Sequence, residues 1–270
     1  MNQWNHMQES IPDRGMKAGL RILIGIVALI CALTGPALAK EEKHPKFASS
    51  HLKLASTMFD AGRYPEALST VDAALAADNK YVPGHQLRGQ ILFAMDEVDE
   101  ALKEFSRVLD LDKNYTEARN WKGYALVQLQ RFDDAMAEYQ LALKDLTYPT
   151  PEKIHLNIGM LHRLQGKMDP AIQSLQKAVS LNSSYARGYY ELGVTWEQMG
   201  KNKEALRAYQ DALVGMDQSA DLHLRIGLAL IQAGEQTKAR QHLERVRRIS
   251  PDGPLAARAD EEIRRLNNPS

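Results

Sequence analysis

The sequence is poor in the residues that would build a disulfide-bonded or a nucleic-acid-binding protein. Its 270 residues include a single cysteine, Cys31, so the chain cannot form an internal disulfide. Aromatic residues make up only 7% of the chain, and 34 Lys and Arg balance 34 Asp and Glu. Because the net charge is zero, no overall field attracts the chain to nucleic acid or to a membrane surface.

Catalytic and metal-binding motifs are also missing from the sequence. It contains no H-E-x-x-H, C-x-x-C or G-x-S-x-G motif and no glycine-rich loop of the kind that holds phosphate. We therefore predict a protein that is not an enzyme, uses no cofactor and binds no metal.

The one long apolar run lies near the N-terminus. It covers residues 22–39, follows Lys17 and Arg21, and ends in the A-x-A cleavage site at residues 37–39. This order is typical of a secretory signal peptide. It predicts that residues 1–39 are an N-terminal extension and signal peptide, and that the mature protein is periplasmic and has no cysteine.

Two alternatives remain open for this segment. The run is 18 residues long, at the short end of what spans about 30 Å of hydrocarbon, so residues 22–39 could instead anchor the chain in the inner membrane. Lipidation at Cys31 is the third interpretation, but that chemistry requires a small residue before the cysteine, and Ile30 stands there. The start residue is equally open among Met1, Met7 and Met16.

An internal repeat occupies most of the remaining chain. Segments such as EAL, DAM and PAI recur, and their alanines are spaced by 34, 34, 36, 34 and 34 residues. A small residue also stands twelve positions before each of these alanines. Such a period indicates a repeat array, in which each unit packs on its neighbours. The alanines are Ala67, Ala101, Ala135, Ala171, Ala205 and Ala239, and the earlier small residues are Ala55, Gly89, Gly123, Gly159, Gly193 and Gly227.

The spacing of apolar residues within each unit predicts two amphipathic helices joined by a turn. In the fifth unit, Gly193 and Ala205 fall where the paired helices approach most closely, because a larger side chain there would push them apart. A large apolar residue four positions after the alanine is expected to fill the space to the next helix. These residues are Phe105, Tyr139, Leu175, Tyr209 and Leu243.

The pattern resembles that of the tetratricopeptide repeat family, which has small residues at the eighth and twentieth places of its repeat and an aromatic residue at the twenty-fourth. The resemblance implies an all-α fold, a right-handed superhelical solenoid of six helix-turn-helix units with a C-terminal capping helix. After a linker over residues 40–47, the six units are 48–81, 82–115, 116–149, 152–185, 186–219 and 220–253.

A capping helix and tail over residues 254–270 complete the predicted array. Leu255, Ala259, Ile263 and Leu266 share one face, which we expect to cover the last repeat. The charged residues are expected on the solvated side, and these are Arg258, Glu261, Glu262 and Arg265.

The resemblance also implies a protein-binding groove. In this family the second, fifth, sixth, ninth and twelfth places of each repeat point into a concave surface. Here these places are rich in Trp, Tyr and Arg, the residue types that contribute most energy at interfaces. We predict that the groove binds an extended peptide or a helix of a partner protein, and that only an uncleaved N-terminal segment would contact the membrane. The predicted groove residues are Phe93, Asn120, Trp121, Tyr124, Asn157, Met160, Arg163, Arg187, Tyr190 and Glu191, although Trp121 fits the core equally well.

Four histidines recur at the fourth place of different repeats. Because each lies in a different unit, they are expected to be far apart and structural rather than metal ligands. They are His51, His85, His155 and His223.

The period is broken once, where two extra residues separate the third and fourth repeats within residues 145–159. Thr150 suits an N-cap and Pro151 the first position of a helix, so the insertion ends one helix and starts the next. A tolerated loop insertion is one interpretation of this segment.

The other interpretation is a resemblance to the type IV pilus biogenesis and stability family called PilW, also PilF or Tgl. It depends on Tyr148-Pro149 followed by Asn157-Ile158-Gly159. Members are exported six-repeat proteins that help the outer-membrane secretin to assemble, and most are lipidated, a pattern from which Ile30 departs. The resemblance implies a scaffold for pilus assembly. A general periplasmic adaptor for cell-wall or polysaccharide assembly is the alternative.

Overall fold

The structure, a computed structural model, describes residues 44–267. Over this range the chain forms thirteen α-helices and no β-strand, which confirms the all-α class. In chain order the helices are α1 (His44–Asp60), α2 (Tyr64–Ala77), α3 (Val82–Ala94), α4 (Val98–Leu111), α5 (Thr116–Gln128), α6 (Phe132–Ala142), α7 (Pro151–Leu164), α8 (Met168–Leu181), α9 (Ala186–Gln198), α10 (Asn202–Met216), α11 (Ala220–Gln232), α12 (Gln236–Ile249) and α13 (Pro254–Asn267).

The predicted signal peptide, with Cys31 and the candidate start residues, lies outside the described residues, as does the beginning of the predicted linker. Helix α1 begins at His44, so it already occupies the second half of the predicted linker over residues 40–47. Among the described helices, none combines the length and the apolar character needed to cross a membrane.

Contacts divide the chain after Met95 into two compact units. In the N-terminal unit, α1 and α2 pack together and α3 packs on both. Its core contains Ala55 and Ala67, the small residues expected at the contact between α1 and α2, together with Val71, Leu87 and Ile91.

The C-terminal unit is a stack of helix pairs. Helix α4 packs on α5, and α5 pairs with α6, α7 with α8, α9 with α10 and α11 with α12, while α13 covers α12 and α11. The second helix of each pair contacts the first helix of the next pair. The first helices also contact one another, α5 with α7 and α7 with α9, so their exposed sides form one continuous surface.

The turns within helix pairs require a left-handed backbone conformation. Gly166 and Gly200 have φ of +74° and +72°, which glycine adopts without steric cost. Gln130 takes the same conformation between α5 and α6 with φ of +58°.

The paired helices meet where a small residue faces a large ring or a leucine. A Cβ on Gly193 would lie 2.3 Å from Cε1 of Tyr209, so the tyrosine ring fills the space that a side chain would need. Tyr209 also packs with Leu222 and Ile226 of α11, so it fills the space to the next pair as the sequence predicted. Three other pairs repeat the contact: Gly123 with Tyr139, Gly159 with Leu175 and Gly227 with Leu243.

The capping helix differs from the prediction at one residue. Leu255, Ile263 and Leu266 pack on the last repeat as expected. Glu262 was expected on the solvated side, and this is wrong because its side chain is buried. Arg258 and Arg265, one turn before and one turn after it, donate hydrogen bonds of 3.1 and 3.0 Å to its Oε1. These two contacts compensate the carboxylate for its lost hydration, which helical periodicity alone does not indicate.

The contact between Gly193 and Tyr209 makes a direct prediction. Gly193→Leu should lower the free energy of unfolding by roughly 1–3 kcal/mol or more, because the new side chain overlaps the tyrosine ring. Ala257→Leu, at an exposed position of α13, is the matched control and should change the free energy of unfolding little. Urea unfolding followed by circular dichroism measures both, and an unchanged midpoint for Gly193→Leu would contradict the helix register.

Candidate partner-binding groove

Nine of the ten predicted groove residues lie on α5, α7 and α9 of the C-terminal unit. We call the surface formed by α5, α7, α9 and α11 on this side the groove face. The tenth residue, Phe93, is half-buried on α3 in the N-terminal unit. The groove face is held together by polar contacts between successive first helices.

An amide pair joins α5 to α7. Nδ2 of Asn157 donates a hydrogen bond of 2.8 Å to Oδ1 of Asn120. Asn120 is buried and Asn157 is half-buried. This bond leaves Oδ1 of Asn157 and Nδ2 of Asn120 as an acceptor and a donor, which is what the backbone of a bound peptide requires.

Beside this amide pair, the groove face opens into a largely apolar pocket of about 260 Å³. Tyr124, Asn157 and Met160, all predicted groove residues, line it together with Val127, Gln128, Tyr139, Leu161 and Leu164. Tyr139 is fully buried, and its hydroxyl has no hydrogen-bond partner among the described residues. The pocket therefore has largely apolar walls, and the hydroxyl of one residue that lines it is buried without a partner in this part of the chain.

Trp121 has a packing role as well as a place on the groove face. Its ring stacks on Phe105 at a centroid distance of 6.0 Å and meets Tyr124 edge-on at 6.1 Å. Its Nε1 donates a hydrogen bond of 2.9 Å to Oε1 of Glu117. The other carboxylate oxygen of Glu117 accepts from the hydroxyl of Tyr148, in the insertion. Burial and this hydrogen bond raise the pKa of Tyr148, so the phenol stays protonated and keeps donating.

A buried carboxylate joins α7 to α9. Oε2 of Glu191 accepts 2.7 Å from Arg163 of α7, and its Oε1 accepts 2.5 Å from Arg187 of α9. The side chain of Glu191 is almost fully buried, so it depends on the two guanidinium groups for compensation. All three residues were predicted to lie in the groove, without a prediction of which side chains pair, and the structure brings them together as one cluster.

A second charged cluster joins α9 to α11. The hydroxyl of Tyr190 donates 2.5 Å to Oδ2 of Asp221, and Arg225 donates 2.9 Å to the same oxygen. Arg225 also donates 2.7 Å to Glu197 of α9. Burial and the bond to Asp221 raise the pKa of Tyr190. The guanidinium carbons of Arg187 and Arg225 lie 5.3 and 5.8 Å from the centre of the Tyr190 ring.

Several residues of the groove face were not predicted from the sequence, although a signal for them was present. Glu117 and Asp221 occupy the second place of their repeats, Arg225 the sixth, and Val127 and Glu197 the twelfth. Applying the same five places to every repeat would have found all five. Leu164 and Tyr139 lie outside these places, and only the structure puts them in the pocket.

Two sequence profiles match the chain. One, described as tetratricopeptide repeat, covers residues 87–151 and 190–254, and the other, described as TPR repeat, covers residues 159–200. Together they span more than half of the sequence. The chain belongs to the tetratricopeptide repeat (TPR) family.

Solved TPR structures resemble the chain over most of its length. PilW, described as a widely conserved type IV pilus biogenesis factor, is 23% identical with a TM-score of 0.69, over 78% of this chain and 96% of PilW. PilF of Pseudomonas aeruginosa is 17% identical with a TM-score of 0.68, over 83% of this chain and 99% of PilF. At these identities the likeness shows the TPR fold alone, and it confirms the predicted fold class.

Other TPR proteins match less of their own length. A chain of the APC/C Cut9–Hcn1 heterotetramer is 18% identical with a TM-score of 0.70, over 91% of this chain but 46% of that one. The small glutamine-rich tetratricopeptide repeat-containing protein 2 of Saccharomyces cerevisiae is 34% identical over 80 residues. This chain spans 23% of the yeast protein's length.

The recurrent histidines give no metal centre in the described part of the TPR array. No group of three potential ligands is found among residues 44–267. Burial lowers the pKa of His155 and of His162, so both favour the neutral form. His223 contacts His242 of α12, with 2.9 Å between their Nδ1 atoms, and the repeat pattern does not predict this pair.

The buried cluster around Glu191 makes the first prediction for the groove face. Arg163 retains 15% side-chain exposure and Arg187 retains 52%. Arg163→Met should lower the free energy of unfolding by about 3 kcal/mol, because it removes the buried partner of a buried carboxylate. Arg187→Met is the control and should cost less, about 1 kcal/mol, since the Arg187 guanidinium is half-exposed and Glu191 keeps its bond to Arg163. Equal losses in urea unfolding would contradict this difference.

The two groove aromatics make the second prediction. Trp121→Ala should lower the free energy of unfolding by about 2–3 kcal/mol, because it removes the ring stacked on Phe105 and a hydrogen bond. Tyr124→Ala, at an exposed position that lines the pocket, should change it by about 0.5 kcal/mol. If the melting temperature of Tyr124→Ala falls as far as that of Trp121→Ala, Tyr124 is a core residue rather than a binding residue.

Proposed function

We propose that this TPR protein is an exported scaffold that binds a segment of a partner protein on its groove face. The observation that carries the proposal is the pocket of about 260 Å³ beside the Asn120–Asn157 pair. An apolar side chain of the ligand fits the pocket, and the free amide groups of the pair suit its backbone. Stacked helix pairs present extended surfaces of this kind to peptides and helices.

Recognition on this face combines an apolar part with a charged part. The pocket, with Tyr124 and Met160, lies on α5 and α7, while Arg187 and Tyr190 lie on α9. Arg187 is half-exposed and the ring of Tyr190 lies beside it, so this end of the face suits an acidic or aromatic side chain. A partner segment with an apolar residue followed by an acidic or aromatic residue would match both the apolar part and the charged part of the groove face.

The scaffold is proposed to act in the bacterial cell envelope. Support for export comes from the basic and apolar run before the A-x-A site at residues 37–39. Cleavage there releases a periplasmic protein, and retention leaves the same array anchored to the inner membrane. Both give the groove face access to the same compartment.

Within the envelope we propose a role in type IV pilus assembly, through the secretin. Two features support it: the Tyr148-Pro149 insertion before Asn157-Ile158-Gly159, and the fold shared with PilW and PilF over nearly the whole of those chains. A general adaptor for cell-wall or polysaccharide assembly would use the same groove face on another partner.

The test is the ratio of secretin multimer to monomer on a gel, in cells with and without this gene. We expect multimers to be lost on deletion and restored by the wild-type gene but not by Tyr124→Ala. The control, Val214→Ser at an exposed site on α10, should restore them fully. Multimers that persist after deletion would exclude the pilus role and leave the general adaptor, whose partner can be found by crosslinking from the groove face.

A further inference from the structure

The two-residue insertion between α6 and α7 exposes an unusual side chain. Leu146 is 93% exposed, although it lies in the middle of a structured connection. Of the large apolar residues in the described part of the chain, only Val214, at 91%, is comparably exposed. Covering this side chain with an apolar surface of a partner would gain the free energy of burial that folding alone does not provide.

Hydrogen bonds on both sides of Leu146 fix the insertion. Oδ2 of Asp145 accepts 2.6 Å from the hydroxyl of Thr116, and its Oδ1 accepts 3.0 Å from the backbone of Thr147 and 2.7 Å from its hydroxyl. These bonds, first that from Thr116, lower the pKa of Asp145, so it remains an acceptor. The hydroxyl of Tyr148 is bonded to Glu117. Leu146 therefore lies between anchored neighbours, so its backbone needs little further ordering on binding.

A polar cavity of about 560 Å³ lies against the insertion, away from the groove pocket. Lys113, Arg119, Leu141, Lys144, Asp145 and Thr147 are among its lining residues. None of these residues lines the groove pocket, so the cavity is a separate surface of the C-terminal unit.

The cavity has an excess of positive charge. The carboxylate of Asp145 accepts hydrogen bonds from Thr116 and Thr147. Glu138 forms ion pairs with both Arg119 and Lys122. Lys113 and Lys144 are exposed and form no ion pair with any residue in 44–267. The two ammonium groups are thus the charges that remain available, and they complement carboxylates.

We propose that the insertion is a second docking surface, which binds an acidic segment of a partner protein. Carboxylates of the segment pair with Lys113 and Lys144, and its apolar side chains cover Leu141 and Leu146. An acidic peptide segment is favoured because it offers carboxylates to the two lysines and apolar side chains to the exposed leucine. Water or a small anion could solvate the lysines but would not cover the leucine. The surface does not depend on the groove face or on the identity of the groove ligand.

The experiment measures binding of a labelled acidic peptide of Glu, Leu and Ser to the mature chain by fluorescence anisotropy. A peptide with Lys in place of Glu is the charge control. We expect the chain to bind the acidic peptide and not the basic one, and the double variant Lys113→Glu, Lys144→Glu to weaken binding about tenfold or more. Leu146→Ser should weaken it several-fold, while Val214→Ser, its match in exposure, should leave it unchanged.

Three results would overturn the proposal. The first is the absence of binding by the wild-type chain, or equal binding of both peptides. The second is loss of binding in Tyr124→Ala but not in the lysine double variant, which would place the probe on the groove face. The third is Leu146-dependent binding to anionic phospholipid vesicles without binding of the peptide, which would make the occupant a membrane. The secretin assay tests the proposed function separately, because it compares the wild-type gene with the Tyr124→Ala variant and does not involve Leu146.

Discussion

The close approach of the two helices within each pair is the constraint on which the rest of the structure depends. Gly193 has no side chain because the ring of Tyr209 occupies its space, and the same geometry recurs at Gly123, Gly159 and Gly227. When the second helix lies this close, its large residue reaches through to the next pair, as Tyr209 does with Leu222 and Ile226. One contact therefore sets both the pairing and the stacking of helices.

This stacking brings the first helices side by side and so creates the groove face. Asn120 meets Asn157, Arg163 meets Glu191, and Tyr190 meets Asp221, each across 28 to 37 residues of sequence. Such contacts form only if neighbouring repeats keep a constant separation. Buried or half-buried polar pairs are satisfied at one register and lose their partners at another, so they oppose slippage between repeats in a way that apolar packing does not.

The sequence predicted the helices and the repeat period, because these follow from local periodicity and from a small residue recurring every 34 residues or so. It did not predict which side chains pair. The groove prediction named Arg163, Arg187 and Glu191 but not their ion pairs, and Glu262 was expected in solvent. The reason is physical: periodicity gives the face on which a residue lies, whereas its partner depends on the distance between repeats and on neighbours one turn away.

The insertion shows how the array accommodates an interruption. Its two extra residues lie between repeats, so Gly159 still packs on Leu175 and the contact within the α7–α8 pair is unchanged. The extra residues lie in the connection, which is stabilised by side-chain hydrogen bonds and by the packing of Leu143 and Tyr148 on the core. Glu117 is central because one of its oxygens accepts from Trp121 and the other from Tyr148. A carboxylate can accept both bonds at once, so Glu117 holds Trp121 and the insertion in fixed positions. The aromatic side chain on the groove face and the insertion therefore share one anchor.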